Sequence, residues 1–70
     1  MAGIDRLLRR PEVERITGLK RTAIYSLAAR GLFPSPVRLT AKAIAWRETE
    51  LQKWMEGRPY AELGSSQKKR

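Results

Sequence analysis

A small, mainly α domain carrying one β-hairpin is the fold class this sequence predicts, and three observations carry that reading. Apolar residues spaced three and four apart occur in three short stretches, closed by Gly18, Gly31 and Gly57. This is the pattern of amphipathic helices that stop at glycine. Between the second and third stretches the period falls to two, as in half-buried strands. Finally, the 70 residues have the size of one domain, and no apolar run approaches the ~20 residues a membrane span needs.

Residues 1–8 read as a lead-in, with Ile4, Leu7 and Leu8 available for packing. Leu7-Leu8 is followed at once by Arg9-Arg10, so the charged-then-apolar order of a secretory signal is absent. Pro11 suits the first position of a helix, where its missing N–H is no loss, and Glu12 suits the positive helix end. Val13 and Ile16 share a face, and Gly18 ends a first helix predicted over 11–17. Ile24, Leu27 and Ala28 mark a second helix over 21–30, closed by Gly31. Two short helices joined by a turn with Gly18 and the apolar Leu19 form a helix-turn-helix signature.

Pro34 and Pro36 then force an extended path. Val37 and Leu39 alternate with Arg38 and Thr40, and Ile44 and Trp46 alternate with Ala45 and Arg47. Separated by Ala41-Lys42-Ala43, these runs predict a hairpin whose turn lacks the Asn-Gly of tight hairpins. A third helix falls within 48–57, with Leu51, Trp54 and Met55 on one face and Thr49 and Gln52 at capping-box spacing. Together these are the parts of a winged helix-turn-helix: three helices plus a two-stranded wing, over residues 1–58. Residues 59–70 read as a basic, disordered tail. The predicted buried set is Val13, Ile16, Leu19, Ile24, Leu27, Leu32, Val37, Leu39, Ile44, Trp46, Leu51 and Trp54.

Charge narrows the partner. The net charge is +8, and residues 15–47 contain seven bases and no acid. Surfaces normally mix their signs, so a block of one sign predicts a polyanionic partner: nucleic acid first, anionic membrane second. The absence of Cys and His excludes disulfides, thiolate or imidazole zinc sites and the usual nucleophile–base pairs. It also fits a cytoplasmic protein. No phosphate-cradling glycine loop appears, so neither an enzyme nor a cofactor is expected.

With Ile24, Leu27 and Ala28 inward, the second helix presents Arg21, Thr22, Tyr25, Ser26 and Ala29 outward, and Lys20 precedes it. Arg21 can pair bidentately with guanine, Thr22 and Ser26 can meet bases or phosphate, and Lys20 suits phosphate at the helix start. The plainer alternative makes Arg21 and Ser26 solvated and Tyr25 half-buried core. Arg38, Thr40 and Lys42 on the wing suit a backbone or minor-groove contact, or else simply blunt a strand edge. Arg15, Arg30 and Arg47 are candidate backbone contacts, although Arg47 could instead pair with Glu48 or Glu50. Trp46 and Trp54 fit the core better than a base-stacking platform.

Four segments carry a resemblance. Arg6-Leu-Leu-Arg-Arg-Pro-Glu-Val, Thr17-Gly-Leu-Lys-Arg-Thr-Ala-Ile-Tyr, Gly31-Leu-Phe-Pro-Ser-Pro-Val-Arg-Leu and Ala45-Trp-Arg-Glu-Thr-Glu-Leu-Gln-Lys-Trp together resemble the AlpA family of prophage regulators. The resemblance covers about residues 6–58 and implies a MerR-like winged helix-turn-helix. It implies a duplex-DNA-binding protein of a prophage or integrative element, either an excisionase (recombination directionality factor) or an activator of excision genes. Partners would be double-stranded DNA, an integrase of the tyrosine or serine class, and further copies bound cooperatively on DNA. The family's recognition positions fall on Lys20, Arg21, Thr22, Tyr25 and Ser26, and its wing on residues 38–43. Two departures stand out: Lys20 replaces the serine common at the helix cap, and the wing tip Thr40-Ala-Lys-Ala lacks the usual glycine. A nonspecific RNA or membrane binder is the competing class, and no stripe of apolar and basic faces supports the membrane form.

Overall fold

The computed structural model describes residues 3–63. Three helices surround a small antiparallel sheet, in the order β1 (Leu7–Leu8), α1 (Arg10–Thr17), α2 (Arg21–Ala29), β2 (Val37–Thr40), β3 (Ala43–Arg47) and α3 (Glu48–Glu56). This arrangement is that of a winged helix-turn-helix. The wing has a third strand that period-two reading did not reveal. Leu7 and Leu8 pair with Arg47 and Trp46, placing β3 between β1 and β2. A two-residue strand is too short to show alternation, so only its partner exposes it.

Local chemistry explains the helix limits. α1 starts one residue earlier than expected, with Pro11 in its first turn. It ends where Gly18 adopts φ 79° and donates to the Glu14 carbonyl over 2.8 Å, a left-handed stop that a side chain would strain. Thr17 tightens the turn into α2, since its hydroxyl donates to Val13 O and accepts from the Leu19 N–H. At the end of α2, Leu32 N–H donates to Leu27 O and Gly31 N–H to Ala28 O, with Gly31 at φ 75°. Those two bonds are a Schellman closure.

The start of α3 departs from its predicted cap. Thr49 and Gln52 do not cap each other; Gln52 donates to Glu56 instead. The carboxylate of Asp5 receives the Thr49 N–H at 3.2 Å and its hydroxyl at 2.8 Å, and Arg6 O receives the Glu48 N–H. The first turn of α3 is therefore closed by residues more than forty positions earlier in the chain. A carboxylate there also meets the positive helix end.

The core is Leu8, Val13, Ile24, Phe33, Trp46 and Leu51, with Ala45 also buried. Leu19, Leu27, Ile44 and Trp54 pack against it while half-buried, and Val37 is likewise half-buried. Three residues predicted inside are exposed by 41–50%: Ile16, Leu32 and Leu39. Leu39 falls at a register shift between Arg38 and Thr40, which breaks the alternation that pointed it inward. Leu32 follows Gly31 immediately, outside the face of α2. Phe33 takes the inside position, with its ring 4.6 Å from Trp54 and 6.5 Å from Trp46, edge-on to each. Both indoles also hold the proline segment, Trp46 donating to Pro34 O and Trp54 to Leu32 O. The tryptophans are structural.

Of the expected tail, residues 59–63 are exposed and without regular structure, and residues 64–70 lie outside the described residues.

Candidate nucleic-acid interface

α2 divides its residues as the spacing predicts. Ile24 is fully buried and Leu27 and Ala28 are half-buried, while Arg21, Thr22, Ser26 and Ala29 are exposed on the other side. Lys20 is the exposed residue before the helix and forms no side-chain cap. The backbone N–H groups of the first turn are thus left without a side-chain cap, and a helix start of that kind favours an anion.

Tyr25 lies between the two faces. It is half-buried, with its ring 6.3 Å from Trp46 in β3, and the Arg21 guanidinium sits 5.5 Å from that ring. On α1, Arg10 donates to Glu14 over 2.9 Å. Its pKa is raised above the ordinary guanidinium value, chiefly by that bond and secondarily by the Tyr25 hydroxyl. Tyr25 thus links α1, the sheet and Arg21. The sequence reading offered core and contact as alternatives for Tyr25, and the geometry gives it a part in both. Arg10 was missed by that reading, although its i,i+4 spacing to Glu14 was legible.

At the wing, Thr40 pairs with Ala43 around a two-residue turn at Ala41 and Lys42. Neither turn residue has positive φ, so the turn is not the primed type that glycine supplies. Side chains close it instead. Lys42 N–H donates to Thr40 Oγ1 over 3.1 Å, and the Arg38 guanidinium donates to Ala41 O over 3.1 Å and Thr40 O over 3.5 Å. Arg38 braces the tip while remaining exposed, and the Lys42 side chain is free to reach outward.

Ion pairing sorts the bases. Arg6 pairs with Glu48, Arg10 with Glu14 and Arg15 with Glu12. Among the described residues, Lys20, Arg21, Arg30, Arg38, Lys42 and Arg47 have no carboxylate partner. Six of the seven bases in the acid-free block therefore keep their charge uncompensated by any neighbouring acid, and Arg15 is the exception. Arg47 makes neither of the pairings considered for it. Arg30 caps the end of α2. Unpaired, exposed bases cost the fold little and leave their field available to a polyanion.

Comparison with known proteins identifies the family. A sequence profile described as prophage CP4-57 regulatory protein (AlpA) matches residues 6–59, most of the chain. The chain belongs to the AlpA family. The matched segment runs from the Arg6 backbone that closes α3 to just beyond Arg58, so it includes every element of the fold. A curated relative, the uncharacterized protein ORF88 of Enterobacteria phage P4, is 46% identical over 54 residues. That alignment takes in 77% of this chain but only 61% of the phage protein. No helix among the described residues is long and apolar enough to cross a membrane.

Proposed function

We propose that this chain is a sequence-specific duplex-DNA-binding protein of a prophage or integrative element, acting as an excisionase. In this reading α2 enters the major groove. Arg21 reads a guanine edge, Thr22 and Ser26 contact bases or phosphate, and the Tyr25 hydroxyl and Lys20 hold the backbone. Arg38, Thr40 and Lys42 lie along the neighbouring backbone or minor groove, with Arg30 and Arg47 flanking. Arg15, tied to Glu12, is the weakest member of the set. The observation that carries the reading is the exposed, acid-free face of α2, with bases that no carboxylate neutralises.

One domain of this size covers limited DNA, so useful affinity requires several copies side by side on an attachment region. Bound together they bend the DNA and bias an integrase toward excision. The protein works by binding alone, in the cytoplasm, with neither catalysis nor a cofactor. Integrase-mediated excision of the element's own attachment DNA, run with and without the protein beside a footprint, tests this. Stimulated excision with adjacent protected sites is expected, whereas one isolated footprint without bending or stimulation contradicts it.

A second reading is favoured by the family's description as regulatory proteins: activation of excision or integrase genes from one or a few promoter sites. Transcription stimulated with no effect on excision would select it.

A further inference from the structure

Leu8, Ile16, Leu51 and Met55 form the floor of an open groove of about 380 Å³, and Glu48, Gln52 and Glu56 line its α3 edge. Ile16 and Met55 are 41% and 37% exposed. The groove is thus an apolar surface with an anionic rim, on a chain whose net charge is +8. Such a surface suits an extended cationic segment with an apolar anchor.

The chain itself contains a segment of that chemistry. Leu63 is 78% exposed, and Gly64-Ser65-Ser66-Gln67-Lys68-Lys69-Arg70 after it has three bases and no acid. The lengths agree. At about 3.3 Å per residue the chain from Leu63 to Lys68 can cover at most roughly 16 Å, and the seven helical steps from Met55 back to Glu48 span roughly 10 Å. With Leu63 against Ile16 and Met55, beside Glu56, the terminal bases come within reach of Glu48, whose exposed 3.4 Å pair with Arg6 is weak enough to be exchanged. In its own chain Leu63 stands exposed and does not line the groove.

We infer that the groove of one copy receives the C-terminal segment of a neighbouring copy on DNA, with Leu63 as anchor beside Glu56 and with Lys68, Lys69 and Arg70 toward Glu48. The contact is head-to-tail: each copy offers one groove and one segment, so it propagates along DNA without closing. Free copies repel one another through their net charge. Phosphates relieve that repulsion, and adjacent binding raises the effective concentration. The inference rests on the proposed DNA binding and supplies the surface that makes it cooperative.

The test uses duplexes carrying one or two adjacent copies of a site selected from a randomised pool. Met55→Glu disables the groove and Leu63→Glu disables the anchor. Each variant alone is expected to bind the single site within about twofold of wild type and to lose tenfold or more in cooperativity on the double site. An equal mixture is expected to recover an intermediate value, since one variant supplies an intact segment and the other an intact groove. Wild-type cooperativity in either variant, no wild-type cooperativity at all, or a mixture no better than its components would overturn the inference. The last result would assign the segment to its own groove. Should Met55→Glu lower the melting temperature, Glu56→Lys takes its place. Failure of the wild-type protein to select any duplex would instead overturn the DNA-binding reading.

Discussion

Tyr25 shows how one side chain can serve both packing and recognition. Its ring extends the aromatic cluster through Trp46, while Arg21 lies over that ring and the Tyr25 hydroxyl bonds Arg10. The arginine proposed to read DNA is therefore held by a residue anchored in the core, which lowers the ordering cost on binding. Trp46 is the deeper anchor. It is fully buried, and its indole N–H donates to Pro34 O over 2.9 Å. Trp46→Phe preserves an aromatic ring and leaves that carbonyl without its donor. A stability loss of about 1–3 kcal/mol is expected, read as a lower urea midpoint; an unchanged midpoint would show that water replaces the indole without cost.

At the level of elements, the helices are closed by residues other than their own N-caps. No helix has a side-chain cap from its own N-cap residue. α3 borrows Asp5, and α1 relies on Pro11 and Glu12 in its first turn. Asp5→Ala is expected to cost about 1 kcal/mol, the usual value of a helix cap. Because the cap also ties the segment before β1 to α3, hydrogen exchange should accelerate both at Thr49 and along β1. Acceleration confined to residue 5 would mean the tie is ornamental. The wing is closed by its own side chains, Arg38 and Thr40, so Lys42 is left to act on DNA through charge. Lys42→Ala is expected to weaken binding to all duplexes alike and to lower the salt slope by about 1. A loss restricted to one sequence would make Lys42 a base reader instead.

For the whole molecule, charge and fold are separated along the chain. Acids lie on α1, on α3 and in the segments flanking them, where three of them pair with Arg6, Arg10 and Arg15, while α2 and the wing carry bases without a carboxylate partner. Much of this was legible in advance. Glycine stops and apolar spacing placed all three helices within a residue or two, and the period of two placed β2 and β3. What escaped depended on tertiary contact. Leu8 became core only because Leu7-Leu8 found β3, and Phe33 because two indoles closed around a stretch with no periodicity. Asp5 became a cap through a contact no local pattern encodes. Ile16, Leu32 and Leu39 were expected inside, yet so small a domain has too little interior for every apolar residue. The candidate site was easier to read than the core, since exposed bases need no packing partner to be located.

The central claim is that α2 reads duplex sequence rather than merely attracting a polyanion. Equilibrium binding of wild-type protein and Arg21→Ala to a duplex selected from a randomised pool, and to a scrambled duplex of equal length at the same salt, tests it most directly. A loss of about 1–3 kcal/mol on the selected duplex with little change on the scrambled one is expected. Equal losses on both would reduce Arg21 to a charge and contradict the account.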